Sequence, residues 1–397
     1  MTDALRLLDE IAGVGRDPRR GGYSRHVFDD AERELREWFT ESAQRLGLTV
    51  LPDRNGNLWA WWGEPGPDAF VTGSHLDSVP GGGAHDGPLG VVSALAAIER
   101  LQQSGFTPTR PIAVVVFAEE EGSRFGIACL GSRLLAGAIT PARAGELTDA
   151  EGRRFRAVAG AASVASFGPD PEALARIGVF VELHVEQGKG LIDLDAPVAV
   201  AFSILEHGRW RLDVRGQGNH AGTTDIADRR DPMLPAAAAV LAARRAASLR
   251  AGSRATIGRI EPVPGGTNVI ASRVSAWLDV RADSEADTRE IVAEVQAAVA
   301  EAAAAEGCEA SVVEESYSGE VRFDPQLRDR LVATLGGVPV LPTGAGHDAG
   351  VLAAHVPTAM LFVRNPSGVS HAPEEGADDA AIAAGVDALI RTIEDLA

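Results

Sequence analysis

Histidines and carboxylates crowd together at four places in this chain, each time where an apolar run stops. The first is Gly73-Ser-His-Leu-Asp-Ser-Val-Pro-Gly-Gly-Gly-Ala-His-Asp-Gly87, which holds His75, Asp77, His85 and Asp86 among glycines. The second is Phe117-Ala-Glu-Glu-Glu-Gly-Ser-Arg-Phe125, with three adjacent glutamates. The third is Glu182-Leu-His-Val-Glu-Gln-Gly188 and the fourth Gly368-Val-Ser-His-Ala-Pro-Glu-Glu375. Clustered carboxylates at a strand end repel one another unless a cation or a proton intervenes. A capping aspartate, a solvated charge run or a satisfied core histidine would each explain one cluster alone. Four clusters at one edge of one sheet favour a two-metal site. Two imidazoles and a carboxylate around one ion, and a similar set around another, suit zinc. A shared carboxylate would hold the ions about 3.5–4 Å apart. Asp86 is favoured over its neighbour His85 for that place, because an imidazole cannot bridge as a carboxylate can.

Elements of regular spacing must carry these clusters. Ala69–Thr72, Ile112–Phe117, Gly178–His184 and Thr358–Val363 read as strands, the continuous apolar run Ile112–Phe117 being typical of one covered on both faces. Gly87–Gln103 reads as a buried helix. Strands alternating with helices predict an α/β fold with a mostly parallel central sheet flanked by helices. A crevice at the carboxyl edge of such a sheet is where ligands bind. Helices are expected over Asp3–Ala12, Asp29–Leu46 and Ala380–Leu396, and further strands over Leu48–Leu51, Leu58–Trp62 and Val340–Thr343. Trp59, Trp61 and Trp62 read as sheet packing, and residues 137–175 as helix or loop. Near residue 203 the pattern changes to strand Arg209–Val214, helix Met233–Arg250, strands Ala255–Ile260 and Ser272–Val280, helix Ser284–Ala305 and strand Ala310–Glu315. This βαββαβ order predicts an inserted α+β two-layer sandwich, ferredoxin-like. The expected division is 1–204 with 318–397 for the first domain and 205–317 for the insert.

Composition narrows the function. A length of 397 residues suits two domains. A net charge of -19 argues against nucleic acid and against anionic membrane surfaces. Two cysteines, Cys129 and Cys308, without paired-ligand spacing fit a reducing cytoplasm and exclude a thiolate zinc site. The first residues contain no apolar signal segment, and no apolar run is long enough to span a bilayer, so a soluble cytoplasmic protein is expected.

The four clusters belong to a wider motif set that also includes His220-Ala-Gly-Thr-Thr, Asn268-Val-Ile, Asp279-Val-Arg and Gly344-Ala-Gly-His-Asp-Ala. Over nearly the whole chain this set resembles the amidase/hydantoinase/carbamoylase branch of the co-catalytic zinc peptidase and aminoacylase superfamily. That branch includes N-carbamoyl-L-amino acid hydrolases, allantoate amidohydrolases and β-ureidopropionases. The resemblance implies that Asp86 bridges two divalent ions, zinc or else manganese, cobalt or nickel. His75 and His184 would complete one site, and Glu121 and His371 the other. Asp77 would hydrogen-bond the His75 imidazole. Glu120 would be the general base of water attack on a ureido or amide carbonyl. Chemistry alone leaves the register of the triple glutamate open; by resemblance, the following Gly-Ser-Arg-Phe fixes it. His220 is similar to an oxyanion-stabilising histidine, Asn268 and Arg281 to residues that hold the substrate carboxylate, and Gln187 to a substrate contact. Some of these contacts come from a partner subunit in the family, so a homodimer is implied.

Several residues also admit plainer roles. Arg281 taken alone reads as a surface ion pair with Asp279 or Asp283. His347 and Asp348 read as shaping the site, and Arg124 as tying a loop to a neighbour. The chain departs from the family at Asp225-Ile226, where Pro-Met is common, and at Val363-Arg-Asn-Pro-Ser, where Arg364 is an extra cation. Arg364 suggests an acidic N-carbamoyl, N-formyl or N-formimidoyl amino acid as substrate. The same residues would also suit a dipeptidase or aminoacylase of the wider superfamily, or a metal-binding protein without catalysis.

Overall fold

The computed structural model describes residues 3–164 and 166–397. They form two compact units: one runs through Ile204 and resumes at Arg322, and the other is Leu205–Val321. The return crossing falls after residue 321 and not at 317/318, because the last strand of the insert continues to Ser318.

The first unit is built on β1 (Thr49–Pro52), β2 (Leu58–Trp62), β3 (Ala69–His75), β4 (Ile112–Phe117), β5 (Ile177–Val185), β6 (Val198–Ile204), β7 (Val340–Thr343) and β8 (Thr358–Val363). Their order is β1-β2-β4-β3-β5-β8-β6, with β7 joined to β6. The four central strands β4, β3, β5 and β8 are parallel to one another. β1 and β2 pair antiparallel on one side, and β6 runs antiparallel to β8 on the other. Parallel strands end on the same edge, so His75, Phe117, Val185 and Val363 all stop there. Register tightens this, since His75 lies beside Phe117 and His184 beside Phe362. Two strands run further than their apolar cores: β3 continues from Thr72 to His75, and β5 to Val185.

Burial explains why these segments are strands. β3, β4 and β8 are buried at every residue, as a sheet covered on both faces requires. Ile112, Val114 and Val116 share one core with Leu89, Leu95 and Ile98 of the helix Pro88–Gln103 and with Ile382, Leu389 and Ile393 of the helix Asp379–Leu396. Each such side chain contributes about 1.5–3 kcal/mol by leaving water. On the other face Phe117 packs edge-on against Trp59 and Phe180. Trp59 and Trp61 are buried and stacked at 6.1 Å, so they are packing residues. Residues 137–175 contain three short helices, Pro141–Glu146, Phe155–Ala161 and Pro171–Leu174, the first two of them packed on a satellite core around Phe125 and Phe155. Among the described residues no helix is long and apolar enough to cross a membrane.

The insert is an antiparallel sheet with strand order Glu309–Ser318, Glu206–Arg215, Arg273–Ala282, Arg254–Val263. With the helices Met233–Ser248 and Glu285–Ala305 this is the βαββαβ sandwich. Trp210, Leu212 and Val214 alternate with Arg209, Arg211 and Asp213, so one face meets Ala239, Ala243, Ile291 and Val295 of the helices. The strand Arg254–Val263 closes one edge of the sheet and is mostly exposed. Leu234, Leu241 and Leu249 on or next to the helix Met233–Ser248 are more than half exposed.

Close approach in the first sheet rests on Gly73. Its φ is +147°, and a Cβ there would fall 1.9 Å from the carbonyl oxygen of Val115. Gly73→Ala is therefore expected to lower unfolding stability by about 3 kcal/mol or more. Chemical denaturation measures this, and an unchanged midpoint would contradict the packing described.

Candidate metal centre

His75, at the tip of β3, sets the geometry. Its Nδ1 lies 3.0 Å from the backbone oxygen of Asp77, and that of His184 lies 2.9 Å from the oxygen of Val185. A ring that donates Nδ1–H to a carbonyl keeps its Nε2 lone pair available in the neutral state. Both Nε2 atoms are buried and have no hydrogen-bond partner. They stand 3.5 and 3.3 Å from the same oxygen, Oδ1 of Asp86. The other oxygen of Asp86, Oδ2, is 3.5 Å from Nε2 of His371, which is 3.4 Å from Oε2 of Glu121. Donor atoms each about 2.1 Å from one tetrahedral ion lie about 3.4 Å apart. His75, Asp86 and His184 therefore could hold one cation, and Asp86, Glu121 and His371 another; within each set the ligand atoms lie within 4.8 Å of one another. His85 stays outside both sets, its buried Nδ1 unpartnered.

The three adjacent glutamates separate by direction. Glu119, at φ +54°, turns back and accepts from the N–H groups of Arg124 at 3.0 Å and Phe125 at 2.6 Å. Burial first, and then Asp77, push its carboxyl up to about 8. Glu120 is buried, with Oε2 3.6 Å from Nε2 of His75. Glu121 faces His371. Burial is the main cause that drives both Glu120 and Glu121 well above the usual carboxylate range, and neighbouring carboxylates add to it. Asp86 goes the other way: burial opposes its charge, but His184 and His75 hold it well below that range. Burial likewise disfavours charge on His75, and the surrounding carboxylates still raise its pKa. The cluster thus places Asp77, Asp86, Glu120 and Glu121 around three imidazoles, an excess of carboxylates that a divalent cation would offset.

Asp77 has a further task beside His75. Its carboxylate accepts from the backbone N–H of Glu120 at 3.2 Å and of Glu121 at 3.1 Å, and stands 3.6 Å from Nδ1 of His75. Its own backbone carbonyl is nearer to that ring nitrogen, at 3.0 Å. Asp77 thereby fixes the turn that points Glu120 and Glu121 at the cluster. Gln187 also enters the cluster: its Nε2 donates to Oδ2 of Asp86 at 2.6 Å and lies 3.4 Å from Nε2 of His371.

Sequence reading missed Glu375. Its Oε1 accepts from the N–H groups of His85 at 3.1 Å and Asp86 at 2.9 Å, and so sets the loop that aims Asp86. The loop can approach it because residue 83 is glycine, where a Cβ would lie 2.2 Å from that oxygen. Burial and the charge of Asp86 raise Glu375 to about 7. The glycine-rich loop was the available signal, since its exposed N–H groups need an acceptor. Arg124 reaches Asp149 and the carbonyl of Val27, a loop tie. Arg364 is paired in this structure, its guanidinium 3.2 Å from Asp378 and 3.6 Å from Asp195.

In the insert, His220 pairs with Val269 across a two-residue ladder, and Ala221 N–H bonds the carbonyl of Asn268 at 2.9 Å. His220 and Asn268 are thus exposed neighbours. Arg281 lies elsewhere, with Nε 2.9 Å from Asp279. It is eight residues beyond Arg273 on one extended strand, roughly 26 Å.

Residues 71–395 match the peptidase family M20/M25/M40. The chain belongs to this family. It is 36% identical to an N-carbamoyl-L-amino acid amidohydrolase of Geobacillus stearothermophilus, covering 98% of this chain and 97% of the other. It is 30% identical to the allantoate amidohydrolase of Escherichia coli, over 98% and 96%. Among solved structures, an amidase of the hydantoinase/carbamoylase family from Burkholderia vietnamiensis superposes with a TM-score of 0.90 at 30% identity, over 100% and 98%. The relatives named here are amidohydrolases acting on C–N bonds, and the M20/M25/M40 family is metal-dependent.

Asp86→Asn removes the charge shared by both sets. The purified variant is expected to lose roughly half or more of the divalent metal carried by the native chain, read by elemental analysis. Full metal content in that variant would take Asp86 out of the centre.

Proposed function

We propose that this chain is a binuclear metal amidohydrolase that cleaves the ureido C–N bond of N-carbamoyl-L-amino acids or allantoate-like ureides. The observation that carries this is Asp86, whose two oxygens face two separate ligand pairs beside the buried carboxylate of Glu120. The ligands are His75 and His184 on one side of Asp86, and Glu121 and His371 on the other. The donor set of imidazole nitrogens and carboxylate oxygens fits zinc, manganese, cobalt or nickel. When bound, two such ions activate a water and polarise the scissile carbonyl.

The side chains do the rest. Glu120, buried beside the cluster, takes a proton from the attacking water and returns it to the leaving nitrogen. Asp77 holds the backbone of Glu120 so that the carboxylate stays aimed. Gln187 reaches the cluster with an amide, a group suited to a neutral ureido end. His220 supplies a donor to the oxyanion, and Asn268 and Arg281 hold the substrate carboxylate, the latter with a fork suited to it. The products are the amino acid and carbamate, which breaks down to carbon dioxide and ammonia. Relatives that are amidohydrolases over nearly their full length support the substrate class.

The insert supports a homodimer. His220 and Asn268 are adjacent, whereas Arg281 stands near the far end of the strand that begins at Arg273, which favours two copies supplying the three residues to one small substrate. His220 and Asn268 then come from the partner. The edge strand Arg254–Val263 and the exposed Leu234, Leu241 and Leu249 give a two-fold surface for that pairing.

Two measurements test this reading. Glu120→Gln should lower kcat by roughly 10²–10⁴-fold on N-carbamoyl substrates and keep its metal; native-like turnover would remove Glu120 as the base. Glu120→Gln and His220→Ala chains, each inactive alone, should regain activity when mixed, because hybrid dimers contain one intact site. No recovery after subunit exchange would show that each site is built from one chain.

A further inference from the structure

Cys129 is buried, with 3% of its surface exposed, and has no part in the chemistry derived above. It stands where the helix Leu130–Ala136 begins, at φ +56° and ψ +37°. Left-handed backbone is uncommon for a residue with a Cβ, and glycine would adopt it without strain. Neighbours impose it. Cys129 N–H bonds the carbonyl of Glu120 at 2.7 Å, Leu130 N–H that of Glu119 at 3.0 Å, and Gly131 N–H that of Ala118 at 2.8 Å. Its own carbonyl accepts from Arg133 N–H at 2.9 Å and from Ser132 Oγ at 3.2 Å. The backbone is thus pinned from both sides, and a side chain is kept at a position that disfavours one.

That side chain meets the proposed general base. Sγ of Cys129 lies 3.5 Å from Oε1 of Glu120. Among the described residues, no other hydrogen bond reaches the Glu120 carboxylate, since Asp77 accepts only from its backbone N–H. A metal ligand or a nucleophile is a weaker account of the thiol, because both roles need the thiolate. Burial, then the charges of Glu120 and Asp348, push this thiol well above its ordinary range, so it remains a donor. It also belongs to none of the groups that could hold a cation.

We propose that Cys129 is a positioning residue, whose thiol donates to Oε1 of Glu120 and so keeps Oε2 turned towards the metal cluster. This inference rests on the reading of Glu120 as general base. The last torsion of a glutamate side chain is broad and roughly two-fold. Anchoring of its backbone by Asp77 therefore aims Glu120 but leaves the plane of its carboxylate free to swing. With Oε1 tied to the thiol, Oε2 stands 3.6 Å from Nε2 of His75. A thiol is a weak donor, so it fixes direction and leaves the carboxylate its charge; a guanidinium or ammonium would offset that charge.

The test compares metal-loaded native, Cys129→Ser, Cys129→Ala and Cys129→Gly enzymes on one N-carbamoyl-L-amino acid. Serine keeps a donor, alanine removes it, and glycine removes it together with the backbone strain. The expected result is a fall of roughly 3- to 10-fold in kcat for the alanine and glycine variants, with the serine variant within roughly twofold of native. KM and metal content should stay near native in all three. A second measurement reads the contact itself. In a Cys308→Ser background, the infrared S–H stretching band of Cys129 should shift when Glu120→Gln replaces the carboxylate acceptor by an amide. This band decides if the alanine and glycine variants do not fold. Equal kcat in the serine and alanine variants, a loss of metal, or a band indifferent to Glu120→Gln overturns the inference while the functional reading stands. A native enzyme inactive on every ureido substrate overturns both.

Discussion

The arrangement depends on two buried imidazole nitrogens, neither of them hydrogen-bonded, that confront one carboxylate oxygen. His75 and His184 each spend their other nitrogen on a backbone carbonyl, so both lone pairs converge on Oδ1 of Asp86. Such a meeting of acceptors is unfavourable unless positive charge stands among them. Much of the surrounding structure serves to impose it. Glu375 grips the loop N–H groups next to Asp86, Asp77 grips those of Glu120 and Glu121, and Gly83 leaves the space for the first of these contacts.

The parallel sheet makes this possible at little local cost. Four strands that run the same way bring residues near 75, 120, 184 and 371 to one edge, although they span most of the chain. The strands need no polar residues until their last positions, so the core can be aliphatic on both faces. Chemistry is then confined to the turns that follow, where backbone conformations such as Glu119 at φ +54° and His371 at φ +58° are held by neighbours.

How much of this could be read from the residues follows from the same division. Apolar runs of strand length, broken by glycine loops, marked the sheet, and polar groups at their ends marked the cluster. The insert was legible because its strand and helix periods change clearly after residue 203. Direction was not legible. Three consecutive glutamates have the same composition whether they face a loop or an ion, and only the fold turns Glu119 back to Arg124 and Phe125. Glu375 lies 289 residues from Asp86, so no local pattern could connect them. Arg364 looked like a spare cation, but Asp378, 14 residues on, and Asp195, far away in sequence, lie beside it.

The place of β8 has a consequence for how the molecule comes to exist. This strand lies between β5 and β6, which precede it by more than a hundred residues, and its following segment delivers His371 and Glu375. During synthesis the earlier strands must wait, with a gap between them, while the whole insert is made. His371 and the clamp on Asp86 emerge together, only after the whole insert has been made. The candidate cluster around Asp86 thus stays unfinished until the chain has passed residue 375, and a product that stops before it lacks both groups.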